Sequence, residues 1–544
     1  MEARTLQIAG MTCDHCAHSL ERALGALPGI EAEVSYPTGT ARVQVAEGRQ
    51  WPLVADTVRH AGYHVVPALP VAETPAPGRE GAGLAVVILG GGSAAFAAAL
   101  RATEHGARVT IVERGTMGGT CVNVGCVPSK ILIRAAQAFY DSGHPHFAGV
   151  AACVPRLVPG LLASERQERV DALRAAKYQA VIEDNPDIVY LQGEAHFVDA
   201  HTVDVRTATD VTRLRADRYL IATGASPAVP PIEGLAGTPY WTSTEALVAT
   251  EVPPDMIVLG ASAVALELAQ AWARLGTHVT LLARHGLLSR EDSMLGLELA
   301  SLLRAEGMDV RTDVTLKEIS WKDQIFSVDV GGVTLKAARL LVATGRSPNT
   351  RSLELAAAGV VTDARGFVAV DSKLRTSAEH IYAAGDCTTL PQFVYVAAAA
   401  GTRAAMNMVG VPAELNLAIL PAVVFTDPQV ATVGLTEQEA HDHGLDAEQR
   451  TLRMDQVPRA LANFDTRGFI KLVAERGTGR LLGAHILAPE AGEMIQTISL
   501  ALRGGMQVSD LADSLFPYLT LVEGLKLCAQ TFTRDVRQLS CCAG

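Results

Sequence analysis

The chain has 544 residues, too many for one hydrophobic core, so about three or four domains are expected. Apolar residues make up 49% and charged residues 19%, and the formal net charge of -12 argues against a nucleic-acid partner. No apolar leader follows Met1, and no run of about 18 apolar residues predicts a membrane span. We therefore expect a cytoplasmic protein, in which nine cysteines stay mostly reduced and paired cysteines are catalytic or metal-binding.

Residues 1–67 follow the order of a ferredoxin-like βαββαβ unit. Strands are predicted at residues 5–9, 31–36, 42–45 and 63–66, and helices at residues 16–27 and 53–61. Residues 68–83 are rich in Pro, Gly, Ala and charged residues without periodicity. We predict that they form a semi-stiff linker.

A Cys-x-x-Cys string lies at the first strand-to-helix turn, in Gly10-Met11-Thr12-Cys13-Asp14-His15-Cys16. Two thiolates on an exposed turn can bind a soft cation. A thioredoxin-type redox pair is the alternative, but it needs a different flanking topology. The string on a βαββαβ unit resembles heavy-metal-associated domains, which implies that Cys13 and Cys16 bind metal; His15 is expected to be an exposed turn residue.

The first nucleotide-binding pattern begins with the apolar strand 84–89 and continues into Gly90-Gly91-Gly92-Ser93-Ala94-Ala95. A helix and a second strand follow, and that strand ends at Glu113. This order matches G-x-G-x-x-A with an acid about 20 residues later. We predict that Gly90, Gly92 and Ala95 let a pyrophosphate approach the helix N-terminus and that Glu113 binds ribose hydroxyls.

A second, poorer copy of the pattern begins at residues 256–259 and continues into Gly260-Ala261-Ser262. Ser262 stands at the second glycine position, and the next strand, predicted at 278–282, is followed by Arg284 instead of an acid. An arginine there favours a 2′-phosphate, and hence NADPH over NADH. Arg290 is either a second phosphate contact or a solvated surface charge.

Two cysteines five residues apart lie in Gly118-Gly119-Thr120-Cys121-Val122-Asn123-Val124-Gly125-Cys126-Val127-Pro128-Ser129-Lys130. A disulfide between Cys121 and Cys126 would close a small ring, and the preceding glycines allow tight backbone geometry. The start of the following helix provides positive potential, which favours thiolate. The pair therefore indicates electron transfer, provided that an electron source lies beside it.

Residues 84–544 resemble the flavoprotein disulfide reductases, the class of glutathione reductase and dihydrolipoamide dehydrogenase. Besides the patterns above, the family turns are matched by Ala222-Thr223-Gly224, by Ala343-Thr344-Gly345-Arg346-Ser347-Pro348-Asn349 and by Ile381-Tyr382-Ala383-Ala384-Gly385-Asp386. The resemblance implies FAD and NADPH as cofactors, and it adds cofactor-binding roles for Gly119, Thr120, Lys130, Thr223, Gly224 and Asp386.

The implied fold is α/β, with two Rossmann-like nucleotide-binding domains, an α+β dimerisation domain and the ferredoxin-like metal-binding domain. The implied FAD-binding segments are residues 84–222 and 345–415. The NADPH-binding segment is 223–344, and the dimerisation domain with its Cys-Cys tail is 416–544.

The C-terminal part departs from the disulfide reductases. These enzymes carry His-Pro-Thr-x-x-Glu, where the histidine protonates a leaving thiol, whereas this chain has Tyr518-Leu519-Thr520-Leu521-Val522-Glu523. Glu523 is kept, but Tyr518 occupies the histidine position. A phenol with a reference pKa of about 10 is a poor proton shuttle at neutral pH. The chain thus lacks the group that an organic disulfide substrate needs.

The chain ends in Cys541-Cys542-Ala543-Gly544. A disulfide between adjacent cysteines is strained, and two thiols on a loose tail suit the capture and transfer of a soft metal. An accidental or regulatory tail is the alternative. Cys153, Cys387 and Cys528 are single and are expected to be small buried residues.

Both ends of the chain, together with Tyr518, resemble the mercuric reductase family over the full length. This resemblance implies that NADPH and Hg(II) react to give NADP⁺, a proton and Hg(0), for mercury detoxification. It implies that Cys126 contacts the flavin, that Cys121 is the exchanging thiol and that Lys130 and Glu267 form an ion pair near the flavin.

The same resemblance implies a route for the metal. Cys13/Cys16 collect Hg(II), Cys541/Cys542 relay it, and Cys121/Cys126 hold it for reduction. Tyr518 and Tyr178 match active-site tyrosines at the metal. The tail of one subunit serves the active site of the other, which requires a homodimer.

Two other functions are compatible with parts of the sequence. A disulfide reductase acting on lipoamide or glutathione is disfavoured by Tyr518 and by the Cys-Cys tail. A non-catalytic metal chaperone or buffer is disfavoured by the complete Cys-x4-Cys pair and by the two nucleotide-binding patterns.

Overall fold

The computed structural model describes residues 2–9, 14–36, 40–45, 51–61, 63–66, 71–73, 83–207 and 210–535. Cys13, Cys541 and Cys542 lie outside the described residues, as does most of the predicted linker. The chain divides into two compact units. Unit 1 comprises Met1–Cys121, Arg174–Ser226 and Ser347–Leu415, and unit 2 comprises Val122–Leu173, Pro227–Arg346 and Asn416–Gly544.

The strands in chain order are β1 (Glu2–Ala9), β2 (Ile30–Ser35), β3 (Thr40–Val45), β4 (His64–Val66), β5 (Val71–Glu73), β6 (Ala85–Leu89), β7 (Arg108–Glu113), β8 (Ile188–Gln192), β9 (Glu194–Asp199), β10 (Thr202–Arg206), β11 (Val211–Arg215), β12 (Arg218–Ile221), β13 (Ala225–Pro227), β14 (Asp255–Leu259), β15 (His278–Leu282), β16 (Asp309–Arg311), β17 (Leu316–Lys322), β18 (Ile325–Val330), β19 (Val333–Ala337), β20 (Arg339–Val342), β21 (Arg346–Pro348), β22 (Ile381–Ala383), β23 (Ala422–Val424), β24 (Gln429–Gly434), β25 (Ala447–Arg453), β26 (Phe469–Glu475) and β27 (Leu481–Ala488).

The α-helices are α1 (Asp14–Gly25), α2 (Trp51–His60), α3 (Ser93–Thr103), α4 (Gly119–Val124), α5 (Cys126–Gly143), α6 (Pro159–Arg174), α7 (Ala180–Glu183), α8 (Ser243–Val248), α9 (Ala263–Arg274), α10 (Ser293–Ala305), α11 (Val394–Met408), α12 (Glu437–Asp442), α13 (Pro458–Asn463), α14 (Ala491–Arg503), α15 (Val508–Asp513) and α16 (Glu523–Gln530). A π-helical turn, Ala175–Gln179, lies between α6 and α7. In the described part of the chain, no helix combines the length and the apolar composition needed to cross a membrane.

The N-terminal domain confirms the predicted ferredoxin-like fold. Its elements follow the order βαββαβ, and its antiparallel sheet has the strand order β2-β3-β1-β4. Helix α1 buries Ala17, Leu20 and Leu24, which recur at helical spacing on one face, against core valines such as Val43. Burial of this apolar stripe is what holds the helix on the sheet.

The predicted linker contains one element that the sequence did not indicate. Val71–Glu73 forms β5 and pairs in parallel with residues 211–213 of β11. Backbone hydrogen bonds to an edge strand require no buried side-chain pattern, so composition alone gave no signal for this strand. The semi-stiff linker predicted for residues 68–83 therefore contains a short strand that was not expected.

The first parallel sheet lies in unit 1 and has the strand order β22-β12-β6-β7-β8. Its strand β6 is apolar on both faces. Val86 and Ile88 pack in a cluster with α3 residues, whereas Val87 and Leu89 pack in a separate cluster that includes Phe197 of β9. Burial on both faces is typical of parallel sheets and explains the continuous apolar run from 84 to 89.

The second parallel sheet lies in unit 2 and repeats this plan with the strand order β16-β15-β14-β20. On β14, Met256 and Val258 pack with residues of α9, and Ile257 and Leu259 pack with residues of the antiparallel sheet β17-β18-β19. The two Rossmann-like domains of the predicted fold are thus confirmed.

The C-terminal part of unit 2 is a five-stranded antiparallel sheet with the order β23-β24-β27-β26-β25. Helices α14 and α16 pack on it through a cluster that includes Ile470, Ile486, Ile498 and Leu525. This is the predicted α+β domain.

The two units differ from the predicted segments at three places. Residues 223–226, predicted within the NADPH-binding segment, belong to unit 1, and residues 345–346, predicted within the FAD-binding segment, belong to unit 2. Residues 122–173, predicted within the FAD-binding segment, belong to unit 2. The physical reason is that α5 packs against α9 of the second Rossmann-like domain. The other predicted domain boundaries stay predictions.

A buried group of charged side chains ties α9 to the C-terminal sheet within unit 2. Arg274, whose side chain is 4% exposed, bonds Glu306 at 2.6 Å and Asp427 at 2.8 Å. Arg467 bonds Asp427 at 3.1 Å and Asp465 at 2.7 Å. Each buried charge therefore has at least one opposite partner, as burial requires.

These contacts shift the ionisation of Asp427. Burial alone would raise its pKa, but the attraction of Arg467 and Arg274 outweighs burial, and the pKa lies below its ordinary value of 3.8. A lowered folded-state pKa stabilises the fold above the unfolded value, and this stabilisation is lost as the pH falls through the folded value.

The substitution Asp427→Asn should lower the midpoint of thermal unfolding at neutral pH, because it leaves the buried guanidinium of Arg274 and the half-buried one of Arg467 with less compensation, at a cost of at most about 3–5 kcal/mol. Below pH 3.8 the variant should also lose less further stability than the wild type. Thermal melts across this pH range measure both effects. Asp446→Asn, which removes an ion pair with Arg476 whose Asp446 side chain is 72% exposed, is the control and should change little. If the two variants lowered the unfolding midpoint equally, Asp427 would not have the stabilising role assigned to it.

Candidate active site

Four predicted cofactor residues follow strands of the first parallel sheet. Gly90 follows β6, Glu113 ends β7, Thr223 follows β12 and Asp386 follows β22. Because these strands are parallel, their carboxyl ends meet at one edge of the sheet. In α/β folds this edge is where ligands bind.

The glycine turn at this edge requires its glycine. Gly90 has φ +112°, and its N–H donates to the Val112 carbonyl at 2.7 Å. A Cβ at Gly90 would lie 2.2 Å from the Ala222 carbonyl oxygen, a distance that no side chain tolerates. The turn delivers the chain into α3, whose N-cap Gly92 provides no side-chain cap, so the first N–H groups remain for a phosphate.

The neighbouring residues fit a dinucleotide at this turn. Glu113 accepts hydrogen bonds from the N–H groups of Gly91 at 2.6 Å and Gly115 at 2.7 Å, which fix its carboxylate beside the turn. Gly119 lies so close to Gly92 that a Cβ on it would be 2.8 Å from the Gly92 Cα. Ala95 is fully buried where α3 meets the sheet, and Thr120 is exposed in the first turn of α4.

A cleft opens beside the turn and is lined by Gly90, Glu113, Thr223 and Asn349, among others. The sequence did not single out Asn349 individually. Its N–H donates to the Gly224 carbonyl at 2.9 Å and its Nδ2 to the Thr223 carbonyl at 3.0 Å, and its Oδ1 accepts from Ser226 at 2.8 Å. Its place at the end of the family turn 343–349 was the only sequence signal.

The second parallel sheet repeats this edge in unit 2. The Gly260 N–H donates to the Leu282 carbonyl at 3.0 Å, and a Cβ there would lie 2.3 Å from the Ala343 carbonyl oxygen. Ser262, which replaces the second glycine, is the N-cap of α9, and its side chain makes no capping bond. Arg284 follows β15 and is exposed at this edge. The residues therefore fit a second dinucleotide.

The predicted redox cysteines lie on consecutive helices. Cys121 is half-buried in α4, and Cys126 is exposed as the first residue of α5. Both are thiols in the structure. Helix α5 has 18 residues, so its N-terminal dipole acts on Cys126 and favours an anionic sulfur there.

Lys130 and Glu267 form the predicted ion pair within unit 2. The Lys130 Nζ lies 2.7 Å from Glu267 Oε2, with Glu267 7% exposed. The other carboxylate oxygen accepts from the Phe425 N–H at 2.9 Å, and the Lys130 amine lies 4.4 Å from the centroid of the Phe425 ring. Phe425 thus contacts both members of the ion pair, Glu267 through its backbone N–H and Lys130 through its ring. No motif in the sequence indicated this residue.

Tyr178 lies in the π-helical turn Ala175–Gln179, and its ring meets Phe96 edge-on at 4.8 Å. Single π-turns are frequent at functional sites. Tyr518 is 58% exposed and belongs to unit 2, whereas Tyr178 belongs to unit 1. Glu523 begins α16, and burial raises the pKa of its carboxyl above the ordinary value.

The remaining single cysteines behave in two ways. Cys387 and Cys528 are fully buried, and burial raises the pKa of their thiols to about 11 and about 12. They are therefore poor metal ligands, as expected of small core residues. Cys153 is exposed, so the prediction of a buried residue is wrong there, because its loop leaves it outside the core.

Within the described ranges, no cluster of three or more His, Cys, Asp or Glu side chains has metal-binding geometry.

Three family models match this chain. Residues 84–401 match pyridine nucleotide-disulphide oxidoreductase, residues 420–529 match the dimerisation domain of that family, and residues 5–64 match the heavy-metal-associated domain.

Relatives and solved structures extend this match. The mercuric reductase of Acidithiobacillus ferrooxidans is 55% identical over 99% of this chain and 98% of its own length, and that of Shigella flexneri is 54% identical over 99% and 100%. The Cu(II) complex of the HOCl-induced flavoprotein disulfide reductase RclA from Escherichia coli is 30% identical with a TM-score of 0.75, covering 83% of this chain and 100% of that chain. LpdA from Mycobacterium tuberculosis is 27% identical with a TM-score of 0.76, over 83% and 100%. The chain therefore belongs to the pyridine nucleotide-disulphide oxidoreductases and, within them, to the mercuric reductase family.

Proposed function

We propose that this protein reduces Hg(II) to Hg(0) with NADPH and thereby detoxifies mercury. The proposal is carried by one combination: two nucleotide-binding sheet edges, the thiol pair Cys121 and Cys126, and Tyr518 where a disulfide reductase would have its histidine. The reaction converts NADPH and Hg(II) into NADP⁺, a proton and Hg(0). Two electrons leave the nicotinamide and two reach the metal, so charge and electrons balance.

The two sheet edges hold the cofactors of the family, FAD and a nicotinamide nucleotide. The first edge, with Gly90, Glu113 and Asp386, holds FAD, and the second, with Gly260 and Arg284, holds NADPH. Bound FAD supplies a two-electron relay between NADPH and a thiol pair. Arg284 selects the 2′-phosphate by charge, because a guanidinium forms short, strong bonds with phosphate oxygens.

The chain's own groups prepare the reduction. Cys126 is the thiol at the flavin, where the start of α5 favours its anionic form. Cys121 is the exchanging thiol, and both sulfurs clamp Hg(II) as a soft metal requires. Lys130, held by Glu267 and Phe425, places a cation beside the flavin, which favours a reduced, anionic ring.

Metal delivery uses ligand exchange between thiol pairs. Hg(II) leaves two thiolates too slowly by simple dissociation, so Cys13/Cys16 collect it, Cys541/Cys542 relay it and the inner pair receives it. Tyr518 and Tyr178 contact the metal at that inner pair. The tail serves the partner's active site in a homodimer, consistent with the dimerisation domain.

We place this activity in the cytoplasm. NADPH and low-molecular-weight thiols are available there, and reducing conditions keep all three cysteine pairs ready for metal exchange. Hg(II) therefore arrives as a thiol complex.

The substitution Cys121→Ser should reduce Hg(II)-dependent NADPH oxidation to about 1% of wild type or less, because a hydroxyl does not replace a thiolate in holding mercury. FAD content should stay normal. The measurement is NADPH absorbance together with Hg(0) release. Cys153→Ser removes an exposed thiol elsewhere and is the matched control, with activity unchanged. Full Hg(0) release by Cys121→Ser would rule out these residues as the reduction site.

The double substitution Cys541→Ala/Cys542→Ala should slow reduction when free thiol is scarce and should weaken mercury resistance in cells, because the relay is lost while the inner pair remains. The comparison is Hg(0) release at low and high thiol concentration. Ser540→Ala, a neighbouring tail change, should behave as wild type. Unaltered reduction by the double variant in cells and in low-thiol buffer would exclude the relay.

A further inference from the structure

The segment from Arg284 to Asp292, here called the arginine turn, follows β15 at the edge of the second parallel sheet. Arg284 and Arg290 are exposed, whereas Leu287 and Leu288 between them are buried. The two arginines are therefore carried by a segment that is anchored in the core, unlike an ordinary solvated loop.

The first anchor joins the arginine turn to the glycine turn of the nucleotide site. The Leu288 N–H donates to the Ala261 carbonyl at 3.0 Å, directly after Gly260. The Leu288 carbonyl accepts from the Glu291 N–H at 2.8 Å, so Arg290 is the third residue of a closed four-residue turn. The backbone at Arg290 is thereby fixed relative to the nucleotide-binding turn.

The second anchor lies at the other end of the arginine turn. Asp292 is the N-cap of α10, and its Oδ1 accepts from the Met294 N–H at 3.0 Å. Its Oδ2 lies 2.7 Å from the Nζ of Lys471 on β26, and the two side chains are 10% and 6% exposed. A strand of the C-terminal sheet thus holds the end of the turn through a buried ion pair, in which neither charge has water as a substitute partner.

We propose that Lys471 is a positioning residue for nucleotide selection: through Asp292 it holds Arg290, together with Arg284, where they distinguish a 2′-phosphorylated nucleotide from one without this phosphate. The inference rests on the proposed use of NADPH. Arginines on a fixed backbone lose less conformational freedom on binding a phosphate than arginines on a loose loop. Loosening the turn therefore weakens the 2′-phosphate contact and leaves the contacts of the glycine turn with the rest of the nucleotide.

The chain offers a matched control for this anchor. Arg453 at the end of β25 pairs with Glu298 of α10 at 2.7 Å. This second ion pair joins the same sheet to the same helix, with side chains 44% and 27% exposed, and does not involve the arginine turn. If Lys471 only fastened the two domains together, its loss would lower stability and leave the ratio of the two nucleotide affinities unchanged.

The test measures binding of 2′,5′-ADP and of 5′-ADP to the full-length, FAD-loaded protein by titration calorimetry. Lys471→Met should weaken 2′,5′-ADP binding about tenfold and leave 5′-ADP binding within about twofold of the wild type. Lys471→Arg should keep the wild-type ratio of the affinities for 2′,5′-ADP and 5′-ADP. Arg453→Met should keep both affinities. Because Lys471→Met leaves a buried carboxylate unpaired, the double variant Lys471→Met/Asp292→Asn removes both charges and keeps a capping side chain. It should show the same selective loss.

A lower melting temperature with an unchanged affinity ratio in both Lys471→Met and the double variant would overturn the inference. Equal binding of both nucleotides by the wild type would instead overturn the proposed preference for NADPH, and the inference with it. The two failures are therefore distinguished by the wild-type ratio alone.

Discussion

The close approach of a glycine turn to the carbonyl at the end of a neighbouring parallel strand is the constraint on which both nucleotide sites depend. It occurs at Gly90 against Ala222 and again at Gly260 against Ala343. In each case the turn begins a helix that has no side-chain capping bond at its N-cap, so backbone N–H groups remain for a phosphate. Because the strands are parallel, groups distant in sequence, such as Glu113 and Asp386, reach the same sheet edge.

Unit 2 depends on a different kind of interaction, namely buried ion pairs that connect the second Rossmann-like domain and α5 with the C-terminal sheet. Lys471–Asp292 is buried on both sides, whereas Arg274–Asp427 and Lys130–Glu267, the latter with Phe425, each pair one buried group with a partly exposed partner. Buried charges are costly unless each finds a well-placed partner, so these pairs fix geometry more than they add stability. They connect one proposed flavin contact and one proposed phosphate-binding turn to the C-terminal sheet.

The thiols divide by chemistry. Cys387 and Cys528 are buried, with pKa values raised by burial, whereas Cys121 and Cys126 are at least partly accessible. A protein that handles a thiophilic ion benefits when accessory sulfurs do not compete for it, and the core provides this protection for two of the three single cysteines. Cys153 is the exception, because it lies on an exposed loop.

The sequence by itself determined the motifs and the fold class. The glycine turns, the acid after β7, the cysteine pair and the βαββαβ unit are local patterns, whose residues are neighbours in the chain and whose spacing reports the geometry directly. Only the tertiary structure decided which residues from distant parts of the chain make contact. Asn349 donates a hydrogen bond to the turn after β12, the Phe425 ring contacts the Lys130 amine, and Lys471 forms an ion pair with Asp292. These contacts join residues more than 100 positions apart. Neither composition nor periodicity specifies which distant side chain meets a given charge, because that choice follows from how the packed domains meet.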